Sequence, residues 1–213
     1  MSERLGESAN PPRQAVTPLV AAPDQWRDIG QMLGGAFQDD PVWQWISRDG
    51  DRRNKHLGMM FAHAIRSRVE AGQTWTTHDI GGAAVWAKPG HWRMTASENV
   101  RSLIPSLRAI GATSIMRGLR ALATIEKLHP SEPHWYLEFL AADASRRGQG
   151  FGSALIQPIL DRCDEEGLPA YLESSKEANL PFYNRFGFEV TNRFHIGDDA
   201  PPMWAMWREP RMH

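Results

Sequence analysis

Asp143-Ala-Ser-Arg-Arg-Gly-Gln-Gly-Phe-Gly-Ser153 is the stretch on which the fold turns. Before it runs Trp135-Tyr-Leu-Glu-Phe-Leu-Ala-Ala142, apolar and aromatic; after it, Ala154 to Glu166 repeats apolar residues at helical spacing. The order is strand, glycine-rich turn, helix. Glycines 148, 150 and 152 remove side chains where backbone must approach a ligand or take positive φ. A helix start leaves N–H groups without intrahelical acceptors and carries the positive end of a dipole. Arg147 to Ser153 therefore reads as a cradle for an anion, most often phosphate.

Neighbouring residues narrow the anion. A Walker A loop ends in Gly-Lys-Ser/Thr, and Gly152-Ser153 lacks the lysine. Gly148-Gln-Gly150-Phe-Gly152 misses the third glycine of a dinucleotide fingerprint by one place, although Glu173 stands where a ribose-binding acid is expected. Only 60 residues follow Ser153, with a single crossover, so a two-fold nicotinamide repeat has no room unless its order is permuted. The next strand is Pro169 to Ser174, after Gly167 as helix stop. Strand, helix and strand at this spacing imply a parallel pair. Asn179-Leu-Pro181 opens a short helix ending at Gly187; Phe188 to Val190 and Met203 to Trp207 read as strands.

Upstream, residues 1–15 read as a mobile tail, leaving one domain over 16–213. Thr17 to Ala22 is a first strand, and Asp24 a cap for a helix carrying Trp26, Ile29, Met32, Leu33 and Phe37 inward. Asp40 is either the cap of a further helix or a partner for a cationic substrate. His56 to Val69 is amphipathic, with Met59, Met60, Ala64 and Ile65 inward and Gly72 as its stop. Thr74 to Thr77 and Gly82 to Ala87 form a hairpin. Residues 91–130 suggest two or three helices broken at Pro105, Gly111 and Gly118; this insert is extra core or the wall of a pocket. In the central strand, alternation puts Tyr136, Glu138, Leu140 and Ala142 on one face and Trp135, Leu137, Phe139 and Ala141 on the other.

Totals bound the function. A net charge of −1 with basic residues spread along the chain gives no reason to expect nucleic acid or an anionic membrane as partner. No run approaches eighteen apolar residues and no signal peptide is visible, so a cytoplasmic protein is the expectation. The single Cys163 forms no intrachain disulfide and lies on the apolar stripe of its helix. Histidines 56, 63, 78, 91, 129, 134 and 195 lack metal-ligand spacing, so no metal is expected; His134, just before the central strand, is the one nearest a pocket. Nine tryptophans suit the lining of a site for an organic ligand.

Arg147-x-x-Gly150-x-Gly152 after a strand resembles the signature of the GNAT superfamily of acetyl-CoA-dependent N-acetyltransferases. Asn179-x-x-x-Tyr183-x-x-x-Gly187-Phe188 resembles a second motif of the same superfamily, in the same order. His134 to Leu137, Leu172 to Ser174, Asn179 to Tyr183 and Asp40-Pro41 are similar to the puromycin acetyltransferase-like branch. The resemblance implies an α/β GNAT fold: a mixed, mostly antiparallel sheet with one splayed parallel pair and helices on both faces. It implies transfer of an acetyl group from acetyl-CoA to an amine in a ternary complex, the acceptor being most simply a small molecule and the protein a monomer or homodimer. By the same resemblance, the backbone of Arg147, Gly148, Gln149, Gly150, Phe151, Gly152 and Ser153 holds the pyrophosphate. Leu140, Ala141 and Ala142 pair with the pantetheine arm, Asn179 stands beside the donor, and Tyr183 protonates the departing thiolate. An acid on an apolar strand is usually paired or functional, which makes Glu138 the candidate base, with Tyr136 and Glu173 as others. A module that binds acyl-CoA without catalysis is the alternative of a different class.

Overall fold

The computed structural model describes residues 15–47 and 49–211. Apart from Ala15, the tail expected over residues 1–15 lies outside them. The elements are β1 (Leu19–Val20), α1 (Trp26–Ala36), α2 (Pro41–Ile46), α3 (Gly50–Glu70), β2 (Thr74–Thr76), β3 (Gly82–Ala87), α4 (Ala96–Ile110), α5 (Ile115–Leu128), β4 (Trp135–Ala142), α6 (Phe151–Glu166), β5 (Ala170–Ser174), α7 (Leu180–Asn184), β6 (Glu189–His195) and β7 (Pro202–Arg208). Among the described residues they form one sheet in the order β1-β2-β3-β4-β5-β7-β6. Only β4 and β5 run parallel; the other neighbours are antiparallel. This is the mixed α/β arrangement expected from the sequence.

Several local expectations are corrected. Asp24 does not cap α1; Gln25 holds that position, and its side chain reaches back to accept from the Ala22 N–H at 2.8 Å. β1 is two residues, shorter than Thr17 to Ala22. Asp40 is a cap: its Oδ1 accepts from Val42 N at 3.0 Å and Trp43 N at 3.2 Å. α3 starts at Gly50, under an Asp49 cap, and turns Leu57, Phe61 and Ile65 fully inward, while Met59 faces solvent. Pro105 does not interrupt the insert. α4 runs through it, anchored by a capping box between Thr95 and Glu98 and by packing on α3, which outweigh the lost hydrogen bond. α5 likewise runs through Gly118, so the single break is at Gly111, φ 77°.

The largest correction concerns β4. Val85 pairs with Phe139 and Trp86 with Leu137, leaving Glu138 without a partner on β3. This one-residue bulge reverses the alternation along the strand. Trp135 and Leu137, then Leu140 and Ala142, pack on the α6 side with Leu155, Ile156 and Leu160. Tyr136 and Glu138, then Phe139 and Ala141, face the opposite side, where α1 and α3 bring Leu33, Phe61 and Ile65. The uninterrupted alternation read from the sequence therefore places Glu138 beside Tyr136 correctly and misplaces everything after Glu138.

Candidate active site

The bulge coincides with a parting of strands. Pairing of β4 with β5 covers Trp135, Tyr136 and Leu137 and stops at Leu172. From Glu138 onward β4 keeps β3 on one edge and loses β5 on the other. The Asp143 N–H donates to Gly81 O at 2.9 Å, so Asp143 and Ala141 turn their peptide groups toward β3. By alternation Leu140 and Ala142 turn theirs to the open edge. A strand edge with unpaired N–H and C=O groups accepts an extended amide-bearing chain as an added strand.

At the end of that edge lies the glycine turn. Asp143 accepts from Ser145 N at 2.9 Å and starts the bend. Gly150 then takes φ 90°, a left-handed value that any side chain would strain, as N-cap of α6. No side chain caps this helix, and the N–H groups of Phe151, Gly152 and Ser153 have no acceptor among the described residues. Arg146 is committed to Asp79 at 2.6 Å, whereas Arg147 is exposed with no ion pair among the described residues. The sequence reading placed an anion on Arg147 to Ser153; Arg147 to Gly150 are exposed, Phe151 is buried, and the N–H groups of Phe151 to Ser153 are free of acceptors among the described residues.

Tyr183 closes the other side. A Cβ on Gly152 would lie 3.1 Å from Phe182 Cζ and 3.9 Å from Leu140 Cδ2, so the turn, the open edge of β4 and α7 meet at one point. Tyr183 is 8% exposed within the α6-side core, its ring edge-on to Phe182 and Phe188. Its hydroxyl has no hydrogen-bond partner among the described residues, and burial pushes the phenol above its ordinary value. It is therefore protonated at neutral pH. Phe182 and Phe186 border the same core half-buried. Asn179 is exposed at the start of α7, and its side chain does not cap the helix.

Opposite the turn, across β4, sits the acid side. Arg68 of α3 donates to Glu138 Oε1 through Nε at 3.0 Å and Nη2 at 2.8 Å, and also to Trp92 O. Glu138 Oε2 takes no hydrogen bond from described residues. Burial pushes the Glu138 carboxyl above its usual range, and the Arg68 guanidinium pulls against that. Just past the last β4–β5 pair, Glu173 Oε2 accepts from the Tyr136 hydroxyl at 2.6 Å. Its Oε1 lies 3.8 Å from His129 Nδ1, in side chains 4% and 0% exposed. His129 Nε2 meets His134 Nε2 at 3.0 Å, and His134 Nδ1 faces Glu132 O at 2.6 Å, so His134 accepts and His129 donates. Trp92 stacks on His129 at 3.8 Å.

The structure thus brings Glu138, Glu173 and Tyr136 to one side of the gap and Leu140, Gly152 and Tyr183 to the other. Asp40 is spoken for on both oxygens, with Ser175 Oγ donating to Oδ2, which removes it as a ready partner for a cation. Cys163 is buried in α6, and desolvation pushes its thiol up to about 12. Sequence reasoning missed Arg68 and His129. Nothing local marks Arg68, which meets Glu138 across a separation of 70 residues. His129 carried a weak signal, its place five residues before His134.

Comparison with known proteins agrees with this arrangement. A family model described as Acetyltransferase (GNAT) family matches residues 108–188. The chain is similar to an uncharacterized N-acetyltransferase, C550.08, of Schizosaccharomyces pombe: 29% identical over 197 residues, 87% of this chain and 80% of the relative. A glucosamine 6-phosphate N-acetyltransferase of Trypanosoma brucei brucei is 32% identical over 95 residues, 42% of this chain and 56% of that protein. Among solved structures, a Corynebacterium glutamicum protein described as histone acetyltransferase HPA2 and related acetyltransferase aligns with TM-score 0.69 and 26% identity, over 94% of this chain and 99% of that one.

Proposed function

We propose that this chain, a GNAT-superfamily acetyltransferase, moves the acetyl group of acetyl-CoA directly to the amine of a small-molecule acceptor in a ternary complex. The observation that carries the reading is the convergence on one gap of free helix-N-terminal donors, an unpaired strand edge and an unpartnered buried phenol. The first suits a pyrophosphate, the second a pantetheine arm, the third a leaving thiolate.

The chemistry balances with these residues. The amine nitrogen attacks the thioester carbon and gives its proton to Glu138 Oε2, the carboxylate oxygen left unbonded by Arg68. A peptide N–H on the open edge of β4 receives the developing oxyanion. The C–S bond then breaks, and the Tyr183 hydroxyl protonates the thiolate, a poor leaving group without that proton. Solvent afterwards returns a proton to Tyr183. Asn179, at the mouth of α7, borders the donor. Glu173, tied to Tyr136 and the histidine pair, orders the acceptor side and is the substitute base. Cys163, buried and protonated, takes no part.

A relative named for an amino-sugar acceptor supports a small amine. The likeness of Asn179 to Tyr183 and of Asp40-Pro41 to the puromycin acetyltransferase-like branch favours an acceptor with apolar parts. No helix among the described residues is long and apolar enough to cross a membrane. The test is thiol release from acetyl-CoA with a panel of arylalkylamines, amino sugars, aminonucleosides and peptides. Amine-dependent release supports the reading. Coenzyme A binding without release under any amine replaces it with an acyl-CoA-sensing module, and a thermal shift with NAD but not coenzyme A removes the donor assignment.

A further inference from the structure

The helical insert is mounted with its apolar side outward. α4 lies along α3 and buries Ser102 and Ala109 there, with Glu98 on the same side. At 100° per residue, Val100, Leu103 and Ile104 lie on the opposite side. α5 repeats the pattern, burying Ala121 and turning out Met116, Leu119 and Leu122. These six side chains are 50–75% exposed. Single apolar residues on a surface are ordinary, but a stripe at helical spacing on two consecutive helices marks a contact surface. The inner side of the insert is extra core, through Ala109 and Ala121, while the stripe is neither core nor the wall of an enclosed pocket.

Charge selects the partner. Arg101 and Arg108 lie on one flank of the α4 stripe, and Arg120 and Lys127 on one flank of the α5 stripe. None has a carboxylate partner among the described residues. Residues 91–130 hold six Lys and Arg against two Glu, a formal +4, while the whole chain sums to −1. The near-neutral total conceals this segregation. A second copy face to face would set these cations against each other, and a nucleic acid would leave the apolar stripe uncovered.

We infer that the α4–α5 face docks on an anionic lipid surface. Its apolar side chains enter the boundary between headgroups and acyl chains, and the four flanking cations meet lipid phosphates. The face is tied to the acceptor side of the gap: Arg117 Nη1 donates to Trp45 O of α2 at 3.0 Å, and α5 leads through His129 into β4.

Co-sedimentation of the full chain with phosphatidylcholine vesicles, with and without phosphatidylglycerol, tests this. Binding is expected only with phosphatidylglycerol and should weaken as salt screens the cations. The double variant L103E/L119E should lose at least about tenfold in partitioning, and R101Q/R108Q/R120Q/K127Q on the order of a hundredfold. All six positions are exposed, so both variants should keep the parent's circular dichroism and melting temperature, which serve as the folding control. Absence of binding to anionic vesicles, or binding that ignores lipid charge, overturns the inference. So does light scattering that finds a dimer which L103E/L119E disperses, since the stripe is then covered by a second copy.

Discussion

In the proposed reaction Tyr183 and Glu138 divide the proton work, and each makes its own prediction. Tyr183 is buried, protonated and without a hydrogen-bond partner among the described residues. Tyr183→Phe keeps the ring in place and removes only the proton donor, so kcat should fall about ten- to a hundredfold while the Kd for coenzyme A holds. Steady-state kinetics with a calorimetric titration checks this; unchanged kcat removes Tyr183 from the mechanism. Glu138 must be ionised to act as base. Because burial raises its pKa, kcat/KM should fall on the acid side at a pH above the ordinary carboxylate range. Glu138→Gln retains an acceptor for Arg68, should lower kcat about a hundredfold and should abolish that limb. A limb that persists in the variant passes the role to Glu173. The sequence made Glu138 visible because an acid stood alone in an apolar strand. It could not show Arg68, which reaches Glu138 from a helix that is distant in sequence.

Among elements, α6 does two jobs. Its N-terminus offers free N–H groups, and its C-terminal half is clamped to β7. Arg208 Nη2 donates to Asp164 at 2.7 Å, and Asp164 also accepts from Arg211 N at 2.8 Å, in side chains 3% and 10% exposed. Burial alone would raise the Asp164 carboxyl, but the bonds from Arg208 and Arg211 hold it below its ordinary value. A depressed carboxylate stabilises the fold fully above the unfolded value of about 4 and loses that contribution as pH falls through the folded value. Asp164→Asn should therefore cost about 3 kcal/mol at pH 7, where it strips a buried guanidinium of its counter-charge. Its deficit relative to the parent should close below about pH 4. Denaturant titrations at neutral and acid pH measure both. The strand–turn–helix around α6 was legible because glycines and periodicity are local signals. The continuity of α4 through Pro105 was not, because packing against α3 overrides a breaker whose cost is about 3 kcal/mol or more.

For the molecule as a whole, the single thiol is a probe. Cys163 is fully buried and its pKa is pushed to about 12, so a disulfide reagent should leave the native protein untouched and label it only on global unfolding. Labelling rates across a denaturant series should track equilibrium stability; fast labelling in buffer would place the thiol at the surface. Architecture could be read from order and spacing, since the strand–helix–strand unit dictates a parallel pair. The parting of that pair and the outward stripe of α4 are tertiary outcomes without a local mark. The extra residue at Glu138 acts on the same global scale, as a phase shift. Leu140 and Ala142 share a layer with Trp135 and Leu137 because the chain skips a beat between them. An in-frame loss of that one codon would remove the extra residue, and strict alternation would then keep Leu140 and Ala142 on the α6 side and Phe139 and Ala141 on the other. Both that deletion and Glu138→Ala should therefore keep the layers and a cooperative fold, each losing about 3 kcal/mol because Arg68 is left without its counter-charge; thermal melting of the two variants checks this, and a deletion that alone fails to melt cooperatively would show that the fold needs the bulge itself.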